Sequence, residues 1–217
     1  MLIMSLTLPP ISETERAFFA HESHIVFQQA FARLFGDPPA RSRSDKRVVI
    51  SWVASPLGPL VAGASARGIC LLEFSDRRRL PAQVTTLQRR FECPLVPGRH
   101  EEIDHLNDQL AQYFAGTLTE FAVPLDDPGT SFQRDVWDAL RRIPYGETRS
   151  YDDLARELAG PGASRAVGHA NGLNRVAIVI PCHRVINKNG KLGGYGGGLW
   201  RKQYLLDLER GNRQLPV

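Results

Sequence analysis

Residues 176–180, VAIVI, form an unbroken aliphatic run, and Pro181, Cys182, His183 and Arg184 follow it directly. A run of this kind must be buried, and its β-branched content reads as a strand inside a core. Pro181 has no N–H to give to a ladder and tends to end a strand. The sequence therefore delivers Cys182 and His183 to the rim of a core. Cys182 is either a packed core thiol or a nucleophile at the mouth of a pocket. A free thiol has a pKa of about 8.5 and only its thiolate attacks well, so a nucleophile here needs a neighbouring base. His183 is the nearest candidate. On extended backbone, consecutive side chains point opposite ways, so the pair needs a bend or a bridging water. From adjacency alone, both readings of Cys182 remain open, the packed thiol being the commoner outcome.

Composition narrows the class. The 217 residues suffice for one large domain or two small ones. No apolar run approaches the roughly 20 residues that span a bilayer, so no membrane role is expected. The opening MLIMSLTLPPISETER lacks the basic start and long apolar centre of a signal peptide. Three cysteines with no CxxC pair argue against a disulfide framework and a compact zinc site, so no metal is expected. A reducing, cytoplasmic setting fits best. Residues 1–129 carry 13 Lys+Arg against 15 Asp+Glu, a net −2, whereas residues 130–217 carry 14 against 8, a net +6. A basic C-terminal part favours a polyanionic partner, nucleic acid first.

Three regions follow from the pattern. Residues 15–35 read as a helix, and GDPPARSRSD (36–45) reads as a linker broken by Gly and Pro. From 46 to about 126, three short strand-like runs with tight turns suggest an antiparallel meander, and RRRLPAQVTTLQRRF and EEIDHLNDQLAQYFAG read as helices. Cys70 and Cys93 in this region read as core or edge residues. From 127 to 217 the texture turns to short helices. TSFQRDVWDALRRI places Phe132, Val136, Trp137, Leu140 and Ile143 on one face. Ser150 and Asp153 have capping-box spacing. SYDDLARELAG, GPGA and SRAVGHANG together have helix-turn-helix grammar. The second of these helices is rich in small residues (Ala166, Gly168, Ala170, Gly172), which suits close approach to a duplex groove or to another helix.

GKLGGYGGGLW (190–200) carries six glycines in the nine residues 190–198. It matches neither GxGxxG nor GxxxxGK[ST], so no nucleotide cofactor is expected. One aromatic among glycines, Tyr195, suits the wall of a pocket for a planar base, which backbone N–H groups approach closely only where side chains are absent.

Together these residues resemble the O6-alkylguanine-DNA alkyltransferases. The likeness runs from SFQRDVW through LLDLE and centres on IPCHRV, with SRAVG and Asn174 upstream and GGYGGGL downstream. It implies an α+β chain, with a small antiparallel-sheet, ribonuclease H-like domain at 46–126. A helical, winged helix-turn-helix-like domain follows at 127–217. It implies a monomer that repairs double-stranded DNA by transferring an alkyl group from O6-alkylguanine, with O4-methylthymine as a further substrate, once per molecule and with no cofactor. By the same resemblance Cys182 is the acceptor, His183 its base acting through a water, Glu209 the orienter of the histidine, and Asn174 the holder of the turn. Tyr151 donates to the base and rotates the target phosphate, and Arg165 fills the vacated stack. Leu192, Tyr195, Gly196 and Lys202 complete the pocket. Relatives that bind without reacting carry tryptophan at the acceptor position, whereas this chain has Cys182. Residues 21–43 resemble the last helix and tail of an AraC-type domain, about half of one helix-turn-helix unit, too little to recognise a promoter alone.

Overall fold

The computed structural model describes residues 46–126 and 129–212. The proposed N-terminal helix and its AraC-like resemblance lie outside them. Strands β1 (Val48–Val53), β2 (Leu60–Ser65) and β3 (Gly68–Phe74) form the expected antiparallel meander. Helix α1 (Leu80–Phe91) then crosses over to a short strand, β4 (Leu95–Pro97), which joins parallel to β1. The sheet order is β3-β2-β1-β4. Helix α1 begins three residues later than the RRRL run suggested, because Pro81 sits in its first turn, where no N–H is needed.

The period-2 pattern of the strands divides the core. Val48, Ile50, Val61, Leu71 and Cys70 pack under α1 with Leu80, Val84 and Leu87. The other face, through Val53, Leu60, Ala62, Leu72 and Phe74, meets helix α2 (Glu101–Phe114) and the helical half. Cys70 is thus a core thiol, pushed up by burial, and Cys93 is half-buried.

The helical half comprises α3 (Ser131–Arg141), α4 (Tyr151–Leu158), α5 (Ser164–Gly172) and α6 (Leu199–Glu209), with a two-stranded parallel pair, β5 (Arg149–Ser150) and β6 (Val185–Ile186). The capping box at Ser150 and Asp153 is formed. Thr130 and Gln133 build a second one that starts α3. Val136, Trp137, Leu140 and Ile143 are buried, and Trp137 Nε1 donates to Ala170 O at 3.0 Å, tying α3 to α5. No helix of the described residues is long and apolar enough to cross a membrane.

The two halves share one core, and β3 is the seam. Its outer edge would otherwise expose unpaired backbone groups. Ile69 pairs with Pro124–Asp126, and Leu72 N donates to Arg175 O at 2.8 Å while Ala177 N donates to Leu72 O at 2.7 Å.

Candidate active site

That second pairing corrects the reading of residues 176–180. The run is buried, but it is not a strand: Val176 alone bridges to Leu72, and the next residues wind into tight turns. Ile178 takes φ +71°, a costly left-handed conformation for a β-branched residue. The turn is held from inside by Asn174, whose Oδ1 accepts from Val176 N at 2.9 Å and whose Nδ2 donates to Ile180 O at 2.8 Å. A buried aliphatic run looks the same in a strand and in such a knot, because periodicity reports burial and not backbone bonding.

Pro181 leads into a 3₁₀ turn, Cys182–Arg184, which supplies the bend that the Cys-His pair requires. Cys182 is 8% exposed, and His183 is fully buried. Burial pushes the Cys182 thiol up, while the Asn174 side chain, Arg77 and Lys202 act to lower it. The thiol is therefore protonated at neutral pH and needs a base. His183 Nε2 stands 2.8 Å from Glu209 Oε1. An ionised carboxylate only accepts, so Nε2 carries the proton and Nδ1 the lone pair. Nδ1 has no partner among the described residues. Burial lowers the His183 pKa, which keeps the ring neutral at neutral pH, with the Nδ1 lone pair available to take a proton.

Glu209 is the hub. It accepts from Tyr113 OH at 2.6 Å, from Arg184 Nε and Nη2 at 2.8 and 3.0 Å, and from Gly146 N at 3.2 Å. Burial alone would raise its pKa, but the hydrogen bonds from His183 and Arg184 and the Arg184 charge outweigh that and pull it to about 2. Gly146 takes φ +81°, and a Cβ there would stand 2.9 Å from Glu209 O, so only glycine lets this turn close on α6.

The remaining proposed residues fall into two groups. Tyr151, half-buried, begins α4 under the glycine loop; a Cβ on Gly193 would lie 2.9 Å from its ring and 3.2 Å from its hydroxyl oxygen. Tyr195 is half-buried overall, but its hydroxyl is buried and has no partner among the described residues, and it lies within electrostatic range of Cys182. Lys202 is fully buried; its Nζ donates to Val185 O at 2.5 Å and to Gly193 O at 3.5 Å, binding the loop to β6. Burial lowers its pKa to about 8. Leu192 is half-buried and Gly196 is exposed in the same loop. Arg165 stands apart, exposed at the start of α5. The small residues of α5 do not share one face: Ala166 is exposed, Ala170 is buried against Trp137, and Gly168 faces the Tyr151 ring, where a Cβ would make ordinary contact at 3.7 Å.

Sequence reasoning missed the sheet's contribution. Arg77, in the turn after β3, pairs with buried Glu73 and donates to Asn174 O at 3.2 Å and Gly172 O at 2.8 Å. Gln83 also reaches Asn174 O, at 3.2 Å. Arg184, Tyr113 and Gly146 were missed as well. The basic run at 77–79 was visible, but nothing local tells a buried arginine from two solvated ones.

The chain matches two family models, "6-O-methylguanine DNA methyltransferase, ribonuclease-like domain" over residues 48–126 and "6-O-methylguanine DNA methyltransferase, DNA binding domain" over residues 131–211. A methylated-DNA–protein-cysteine methyltransferase of Mycobacterium bovis is 63% identical over 73% of this chain and 90% of its own length. One from Mycolicibacterium paratuberculosis is 65% identical over 48% of this chain and 62% of its own length. A crystal structure of Mycobacterium tuberculosis OGT in complex with DNA superposes with a TM-score of 0.63, at 43% identity, covering 76% of this chain and 94% of that one. Matched on both halves of its described residues, and by a relative along nine-tenths of that relative's length, the chain belongs to the 6-O-methylguanine DNA methyltransferase family.

Proposed function

We propose that this protein repairs alkylated double-stranded DNA directly, by moving the alkyl group from O6 of guanine to Cys182. The observation that carries the reading is the 2.8 Å contact between His183 Nε2 and Glu209, which leaves Nδ1 as the basic nitrogen one residue from a nearly buried thiol. His183 takes the thiol proton through a water, and Glu209 stabilises the imidazolium. The thiolate attacks the alkyl carbon in line; the S–C bond forms as the C–O6 bond breaks. Guanine leaves with the electron pair and is protonated, a donation we assign to Tyr151. The product thioether is stable, so each molecule acts once.

A thiol that is 8% exposed cannot reach O6 inside a stacked duplex. The nucleotide must leave the stack, at a cost of a few kcal/mol. Arg165 is exposed on the second helix of the α4–α5 pair, in the basic half of the chain, and a side chain inserted there offsets part of that cost.

Arg165→Ala is therefore expected to slow transfer from alkylated duplex about tenfold or more, one decade per ~1.4 kcal/mol of lost offset. Transfer from a free O6-alkylguanine base should change little. Single-turnover rates on the two substrates check this, and equal losses remove Arg165 from the wedge role.

A further inference from the structure

Arg77 comes from the sheet half and belongs to no motif around Cys182, yet it lies at the foot of the site. Its side chain is 8% exposed. One guanidinium touches three segments. Nη2 holds Gly172 O at the end of α5, and Nη1 holds Asn174 O, the carbonyl of the residue that cages the 175–180 turn. On the third side lies the glycine loop: a Cβ on Gly196 would stand 2.5 Å from Arg77 Cζ and 2.6 Å from Nε. Nε has no partner among the described residues. A charge this buried must be compensated, and Glu73 does so from β3. Gln83 donates to the same Glu73 oxygen at 3.4 Å.

We propose that Arg77 is a positioning residue for alkyl transfer: it fixes the spacing between the Asn174 turn and the Gly196 loop and holds a permanent positive charge beside Cys182. The proposal rests on Cys182 being the acceptor. The charged and titratable groups around the sulfur are Arg77 from the β3–α1 turn, Lys202 from α6, Tyr151 from α4 and Tyr195 from the loop, with His183 adjacent and Glu209 behind it. Lys202 loses charge as pH rises towards about 8. A guanidinium does not, so Arg77 is the cation that persists across the range in which the thiol ionises.

The test compares single-turnover transfer to wild type, Arg77→Lys and the pair variant Glu73→Gln with Arg77→Met, across neutral to alkaline pH. Alkylated duplex and free O6-alkylguanine base are both used. The pair variant removes both charges and so leaves none unpaired in the core. It should melt cooperatively, transfer about tenfold or more slowly from both substrates, as a sub-ångström misplacement of reacting groups predicts, and reach half-maximal rate at higher pH. Arg77→Lys keeps the charge but not the fork, so it should lose rate while its half-maximal pH stays in place. A pair variant with wild-type rates overturns the proposal. So does a pair-variant loss confined to duplex, which makes Arg77 a DNA contact, or a pair-variant loss with an unmoved pH profile, which makes it only structural. If the pair variant does not fold, Arg77→Lys decides, and a wild-type rate overturns the proposal. A wild-type protein that gains no alkyl group refutes the acceptor reading itself, independently of either variant.

Discussion

Glu209→Ala is expected to destabilise the protein by about 3–5 kcal/mol, the usual cost of leaving a buried ion-pair partner uncompensated. It should slow alkyl transfer on the order of 10²-fold or more, through loss of an oriented base. One carboxylate accepts from Tyr113, His183, Arg184 and Gly146, so alanine strands a buried guanidinium, an imidazole N–H and a phenol together. Glu209→Gln keeps the shape, and should cost less stability than alanine. The pH dependence has a definite sign. Burial opposes the Glu209 charge, but His183 and Arg184 bring its pKa from 4.5 to about 2 in the folded state. Its stabilisation is therefore fully present above the unfolded value and is lost as pH falls through the window between the two. His183, lowered from 6.5 by burial, acts the same way at higher pH, because the unfolded chain takes up a proton that the folded one refuses. Wild-type stability should begin to fall below about pH 6.5 and fall more steeply below about 4.5. Denaturant titrations at a series of pH values check this, and the lower limb should flatten in Glu209→Gln.

His183→Ala should slow transfer by about 10²–10⁴-fold near neutral pH, the span of a well-placed general base. The deficit should shrink as pH rises, because the thiol then ionises unaided. The Cys182 thiol is raised by burial, so the recovery lies on the alkaline side of an ordinary cysteine. The pH profile of the single-turnover rate checks it. A deficit independent of pH would mean that His183 supports the turn rather than taking the proton.

Residue types alone left Cys182 open between a core thiol and a nucleophile, and Glu209 joined it and His183 only through the family resemblance, because 26 residues separate the histidine from the carboxylate it meets. The meander was legible because tight turns separate short strand-like runs, although β2 and β3 are buried at every position and so show no alternation. The course of 176–180 was not: burial on all sides erased the periodicity, and the backbone bonds that shape it come from Asn174 and from β3, more than 100 residues upstream. Arg77 was hidden for a related reason. Its role depends on Gly172, Asn174 and Gly196 arriving against it, and an arginine among arginines gives no sign of that.

The most direct test is mass spectrometry of the protein after incubation with duplex DNA holding one O6-methylguanine. One methyl group should appear per molecule, on the peptide containing Cys182, with none in Cys182→Ala. A methyl group on Cys70 or Cys93 instead, or bound duplex with no gain in mass, would contradict transfer to Cys182.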